Sequence, residues 1–189
     1  MPAQRRPARW HAGVTLAEML AVVATVALVA SIALPSADTV NDPVAAAAAT
    51  EVAHAIRFAQ REALRTGKYH VAEIDPASQT VRVYRLTSSG TIGEDTGNPV
   101  MHPVDKRAYR IHLPGNTATR AVLASSDFVY GASRTSTIAF GPDGTPVNAE
   151  FVKGAAPTAA LSTDGIVRLV SGAASRTVTV DKTNGRVKL

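Results

Sequence analysis

The 21 residues from Val14 to Leu34 form an apolar run interrupted only by Thr15, Glu18, Thr25 and Ser31. As a helix rising about 1.5 Å per residue, the run matches a hydrocarbon core of about 30 Å. It restricts the chain to an anchored protein with most of its length on one side of a membrane. Glu18 is out of character in such a run. A charge inside a membrane helix costs about 2.5 to 3.5 kcal/mol on insertion scales, and it persists where a partner answers it. Met1 to Gly13 carries Arg5, Arg6 and Arg9 and no acid, which holds the start of the chain in the cytoplasm and places everything after Leu34 outside. A secretory signal peptide cleaved near Ser31-Ile32-Ala33 is the competing reading. The length of the run and the carboxylate inside it weigh against that reading.

Gly13 followed by Val14, then Glu18 at the fifth position of the apolar run, then Pro35 in Ala33-Leu34-Pro35-Ser36, resembles the N-terminal signal of type IV pilins and pseudopilins. The resemblance implies that a prepilin peptidase cuts after Gly13 and methylates the new amine of Val14, which stands where the family usually has Phe. It also implies that Glu18 meets the N-terminal amine of a neighbouring subunit, so that one contact supplies the countercharge and sets the stagger between subunits. The implied partners are other pilin or pseudopilin subunits, the peptidase and an inner-membrane assembly platform that extracts the subunit. The head would then lie in the periplasm, and no cofactor is implied.

Composition fits an exported chain without covalent staples. The 189 residues suffice for one domain plus an anchor, and the absence of cysteine excludes disulfides and thiolate metal sites. The formal charge of +5 overstates the mature chain, because loss of Arg5, Arg6 and Arg9 leaves 17 basic against 15 acidic residues. Any basic patch must therefore be local.

Pro35 should kink the helix, and the polar stretch Ser36 to Asn41 could break it. Asp42-Pro43 then reads as an N-cap with proline at the first helical position, and Gly67 as the C-terminal stop. Within Pro43 to Thr66, Val52, Ala55, Ile56, Ala59 and Ala63 recur at helical spacing, giving one face to pack on a sheet. Arg57, Arg61 and Arg65 align on the other side, with Glu62 nearby. They read as a solvated face, the alternatives being an assembly contact or a polyanion site. The stretch Ile56-Arg-Phe-Ala-Gln-Arg-Glu-Ala-Leu-Arg-Thr-Gly67 resembles the end of the long helix in the GspH/FimT branch of the pilin family.

From Lys68 the period becomes that of strands. Tyr69 to Asp75 and Thr80 to Leu86 read as a hairpin around Pro76-Ala77-Ser78-Gln79, and Thr87 to Pro103, with its Gly and Pro residues, as a mobile surface loop. Further strands are expected at Tyr109 to Leu113, Ala121 to Leu123, Phe128 to Tyr130, Thr137 to Phe140, Ala159 to Leu161 and Ile166 to Val170. Phe140-Gly-Pro-Asp-Gly-Thr145 reads as a turn between a strand and the loop after it. Arg176 to Asp181 and Arg186 to Leu189 would close the chain as a hairpin around Lys182-Thr183-Asn184-Gly185, Asn and Gly both tolerating positive φ. These elements resemble the head of GspH/FimT proteins. The expected fold is α+β, a lollipop whose long N-terminal membrane-anchored helix, kinked near Pro35, packs its second half on a C-terminal β-rich head. Its parts are a leader (1–13), an anchor and assembly helix (14–34), a second helical segment (35–66) and the head (67–189).

An enzyme is not what these residues suggest. His11, His54, His70, His102 and His112 include no pair at metal-ligand spacing, Gly131-Ala-Ser133-Arg-Thr135 lacks the last glycine of a nucleophile elbow, and no phosphate-cradling glycine loop is present. Two functions remain. The first is structural: a minor pseudopilin in the tip or initiation complex of a type II secretion pseudopilus, or of a type IV pilus. By resemblance, the retained Glu18 argues against the tip-most secretion pseudopilin. The second is DNA capture for natural transformation, as in FimT-like minor pilins, through a Gly-Arg-x-Arg ending that here reads Gly185, Arg186, Lys188. Lys keeps the charge and loses bidentate phosphate geometry. Residues 165–189 carry Arg168, Arg176, Lys182, Arg186 and Lys188 against Asp181 alone, a local +4 that suits weak, salt-sensitive phosphate contact. The same alternation of Val with Lys or Arg also keeps an edge strand soluble. The structural reading comes first.

Overall fold

The computed structural model describes residues 14–33, 37–87, 93–113, 121–148 and 159–189. It divides into two units, 1–36 and 37–189. The first contains one helix, α1 (Leu16–Ala33). The expected kink at Pro35 and the leader with Gly13 lie outside the described residues.

The second unit is one long helix laid against two antiparallel sheets. Helix α2 runs over Ala37–Thr66. The strands are β1 (His70–Asp75), β2 (Thr80–Arg85), β3 (Arg110–His112), β4 (Val122–Tyr130), β5 (Ser133–Thr135), β6 (Thr137–Phe140), β7 (Pro146–Val147), β8 (Gly165–Ser171), β9 (Ala174–Val180) and β10 (Val187–Lys188). One sheet has the order β3-β2-β1-β6-β7 and the other β10-β9-β8-β4-β5. Helix α2 touches β1, β2 and β6 of the first and β8, β9 and β10 of the second. Its buried positions Ala45, Ala48, Ala49, Val52, Ala53, Ala55, Ile56, Ala59 and Ala63 therefore cover an arc of roughly 160°, wider than the stripe needed for one sheet. Alanine at most of these positions lets both sheets approach the helix axis. Phe128, Phe140, Ile138, Leu169 and Val178 fill the space between, and a smaller cluster of Val71, Leu86, Ala139 and Val147 packs apart from it with Tyr69 and Tyr84.

Helix α2 begins earlier than its sequence suggests. Residues 37–41 are helical, so Pro43 lies inside the helix rather than at its first position, and Asp42 is no cap. Contacts with the far end of the chain account for this. Asp42 Oδ2 accepts a hydrogen bond from Arg176 Nη2 at 2.6 Å, and Asn41 Oδ1 accepts one from Ser171 Oγ at 3.5 Å. The side chain of Asn41 lies over Gly172, which turns the β8–β9 hairpin with φ 56°; a Cβ there would come within 2.8 Å of Asn41 Cγ. These contacts offset the hydrogen bond that Pro43 cannot donate.

The loop expected to be mobile is held along its described part. Asp95 N–H donates to the Arg85 carbonyl at 2.8 Å, Tyr109 N–H donates to the Val100 carbonyl at 2.8 Å, and Arg82 and Arg85 of β2 pair with Glu94 and Asp95. Tyr109 stacks on Phe58 of α2 with ring centroids 4.9 Å apart. Residues 88–92 lie outside the description. The two strands expected at Ala121 to Leu123 and Phe128 to Tyr130 are one, β4, with a bulge between Leu123 and Ser125. Ala159 to Leu161 supplies only the bridge Val147↔Ala160. The turn after Phe140 joins two strands, β6 and β7, rather than a strand and a loop.

His70 opens β1 on the face shared with Ala72 and Ile74 and is buried, with Nδ1 3.0 Å from the Lys68 carbonyl. Burial pushes its imidazole below the ordinary 6.5; the Lys68 carbonyl and Glu62 oppose this, and Arg85 and Arg65 add to it. The unfolded chain thus takes up this proton first as pH falls. The stability that neutral His70 contributes is complete above about 6.5 and is lost as pH drops from there through the depressed folded value. The shifted carboxylates Asp75, Asp95, Asp143 and Asp181 lie below 3.8, so their stability goes at lower pH. Thermal midpoints should fall between about pH 7 and pH 5, and His70→Asn, whose amide can still donate to Lys68, should flatten that fall. An equal fall in the variant would remove His70 from the explanation.

Candidate functional site

The start of α1 is a capping box. Glu18 N–H donates to Thr15 Oγ1 at 3.3 Å, while Glu18 Oε2 accepts from Thr15 N–H and from the Thr15 hydroxyl, both at 2.9 Å. Each side chain thereby satisfies a backbone donor that the helix leaves free at its first turn. Within one subunit Glu18 already has local partners. A Thr-x-x-Glu spacing before an apolar run is the sequence signature of this box, and the charge argument alone passes over it.

Beyond the box, every large apolar side chain of α1 from Leu16 to Val29 is exposed, Leu16 by 84%. No helix among the described residues is by itself long and apolar enough to cross a membrane. Helix α1 has 18 residues, about 27 Å at 1.5 Å each. Apolar Val14 stands before it, and Leu34 and Pro35 lie outside the described residues.

A second constellation forms where α2 meets the β9–β10 turn. Asp181 Oδ1 accepts Thr183 N–H at 2.9 Å and Asn184 N–H at 3.1 Å, Gly185 N–H donates to the Asp181 carbonyl at 2.9 Å, and Asp181 N–H donates to the Arg186 carbonyl at 2.9 Å. The Asn184 and Thr183 amides hold the Asp181 carboxyl below its ordinary range. Gly185 alone in this turn has positive φ, at 69°, so the turn is not the Asn-Gly type the sequence suggested. A Cβ on Gly185 would lie 2.8 Å from Gln60 Nε2 and 2.8 Å from Phe140 Cε1. Gln60 Nε2 donates to the Asn184 carbonyl at 2.8 Å and to the Gly144 carbonyl at 2.9 Å, and Arg57 Nη2 donates to the Val187 carbonyl at 3.0 Å. Gly185 is therefore explained by backbone geometry and close packing.

The basic residues near the C-terminus do not form one patch. Arg176 shares the inward face of β9 with Val178 and Val180 and is paired with Asp42 at 2.6 Å. It lies about 13 Å along the strand from Val180, the partner of Val187. Lys188 faces away from buried Val187, and Lys182 and Arg186 are exposed on the turn. Of the three aligned arginines on α2, Arg61 and Arg65 are exposed, Arg65 bridging to Glu62 at 2.6 Å, while Arg57 is half-buried against the C-terminal turn. A solvated face describes two of the three.

Residues 48–184 match the family described as type II transport protein GspH. No curated protein matches the chain. Among solved structures, the minor pseudopilin EpsH from the Type 2 Secretion System of Vibrio cholerae is similar, with 15% identity and a TM-score of 0.47 over 77% of this chain and 94% of that one.

Proposed function

We propose that this chain, which belongs to the type II transport protein GspH family, is a minor pseudopilin of type II secretion: a membrane-anchored subunit built into the pseudopilus through α1, with a periplasmic head. The observation that carries the anchoring is the uncovered apolar surface of α1 with a single carboxylate at its first turn. An apolar helix of this kind is stable when lipid or other apolar helices cover it.

In this reading prepilin peptidase cuts after Gly13, the amine of Val14 is methylated, and the inner-membrane platform extracts the subunit. Glu18 then turns from its box with Thr15 to the Val14 amine of a neighbour, and Pro35 marks where the anchor gives way to the helix of the head. The head contributes contacts to neighbouring pseudopilins rather than catalysis. DNA capture in the manner of FimT is not favoured, because the family match is to GspH, Gly185 is accounted for by its turn, and Arg176 is spent on Asp42.

Deleting the gene should trap a type II secretion substrate in the periplasm, and the full chain supplied in trans should restore its export. Complementation by Gly13→Arg should fail, with a longer unprocessed protein in the membrane. Undiminished export in the deletion strain would refute the assignment.

A further inference from the structure

An open groove of about 460 Å³ separates α2 from the β9–β10 turn, lined by Arg57, Gln60, Asn184, Arg186 and Val187. Two of its five lining residues are arginines and none is an acid. Neither Arg57 nor Arg186 enters any of the ion pairs among the described residues. Arg57 is half-buried and held in place by one bond, Nη2 to the Val187 carbonyl at 3.0 Å. The root of Arg186 is fixed by its N–H, which donates to Asn184 Oδ1 at 2.8 Å. Gln60 Nε2 is already engaged by two carbonyls. An arginine cannot shed its charge and carries five donors in a rigid fork. Two such forks lining one recess without an acid beside them favour an anion there.

We propose that this groove receives a carboxylate, the side chain of an Asp or Glu on a neighbouring pseudopilin. The recess favours one compact planar anion that both forks can grip. A nucleic-acid backbone needs a row of cations along its track; Lys182 shares the turn with Arg186, but the row stops there, because Arg176 is paired with Asp42 at the other end of β9, and Arg168 and Lys188 lie on the outward face of the second sheet. That the donor is a fellow subunit rests on the pseudopilin reading, whereas the anion chemistry of the groove does not.

The test is a titration of the full chain in detergent micelles, with arginine side chains labelled with nitrogen-15, against N-acetylglutamate amide, N-acetylglutamine amide and a short DNA duplex at one ionic strength. The Nε–H signals of Arg57 and Arg186 should move together and saturate with the acid, at concentrations on the order of millimolar, and stay still with the neutral amide. Arg186→Ala, which leaves the backbone bonds of the turn intact, should weaken the response about tenfold. Arg57→Ala should abolish it. The proposal is overturned by no saturable shift with the acid, by an unchanged response in Arg186→Ala, or by a duplex that binds the same arginines more tightly than the acid. Failure of this titration leaves the secretion assay standing, and failure of that assay leaves the groove an anion site without a fellow-subunit donor.

Discussion

Glu18→Gln should stop the subunit from entering the filament, while Thr15→Ala leaves entry largely intact. The pair separates the cap that Glu18 forms with Thr15 from the pairing with a neighbouring subunit proposed for the same carboxylate. Glutamine at the third helical position still reaches back to the N-cap amide, so the box survives in Glu18→Gln and only the charge is lost. Thr15→Ala does the reverse: it removes the hydroxyl that accepts Glu18 N–H at 3.3 Å, at a cost of about 0.5 to 2 kcal/mol for an N-cap, and keeps the charge. If Glu18 answers the Val14 amine of a neighbour inside the bilayer, its neutralisation strands that amine at a cost of about 2.5 to 3.5 kcal/mol. The charge then outweighs the cap. Both variants should be cleaved normally after Gly13, and the ratio of subunit in sheared filaments to subunit in membranes reads the difference. The opposite pattern, with Thr15→Ala excluded and Glu18→Gln incorporated, would reduce Glu18 to a helix cap.

Gly165→Val is expected to be among the most damaging substitutions in the head. Gly165 opens β8 opposite Val180, and a Cβ there would lie 2.5 Å from Phe128 Cε1 and 3.5 Å from Val180 Cβ. Its φ is ordinary, so the objection is one of space alone. Phe128 is fully buried and its ring has nowhere to retreat, which puts the loss at the upper end of the roughly 1 to 3 kcal/mol typical of overpacked cores. Phe128→Ala alone should cost about 3 to 5 kcal/mol through the cavity it opens. Combined, the valine occupies part of that cavity, and the double variant should be more stable than the sum of the two losses predicts by about 1 kcal/mol or more. Denaturant unfolding of the full chain in detergent measures all three, and strict additivity would show that Phe128 is not what requires glycine at 165.

What could be read along the chain was whatever local pattern determines. Strands β1, β2, β6, β8 and β9 fall within a residue or two of their expected bounds because β-rich runs bounded by turn residues mark them, and β2 and β8 also alternate in burial. Strand β4 reads as two because Ser125-Ser126-Asp127 is polar and the bulge between Leu123 and Ser125 interrupts its register. The early start of α2 was hidden by Pro43, since nothing nearby reveals that Arg176 and Ser171, some 130 residues on, hold Asp42 and Asn41. Order in residues 93–103 likewise comes from Arg82 and Arg85 on the neighbouring strand. At the start of α1, the Thr15-x-x-Glu18 spacing carries the capping box. The C-terminal cations could be counted, but which of them share a face is decided by strand alternation and by an acid on α2.

Helix α2 packs on β8, β9 and β10, from about the last eighth of the chain, as well as on the first sheet, and the bond from Arg57 to Val187 spans 130 residues. The first sheet, built from residues 70–147, can form while the chain is still emerging, but the alanine face of α2 stays half-open until residues 165–188 arrive. Closure over such a separation is slow, because the entropy of the loop is lost before any contact rewards it. Strands β8 to β10 are thus the latch of the head, and a chain cut short before residue 165 would leave its longest helix with the face that they cover open to any protease within reach.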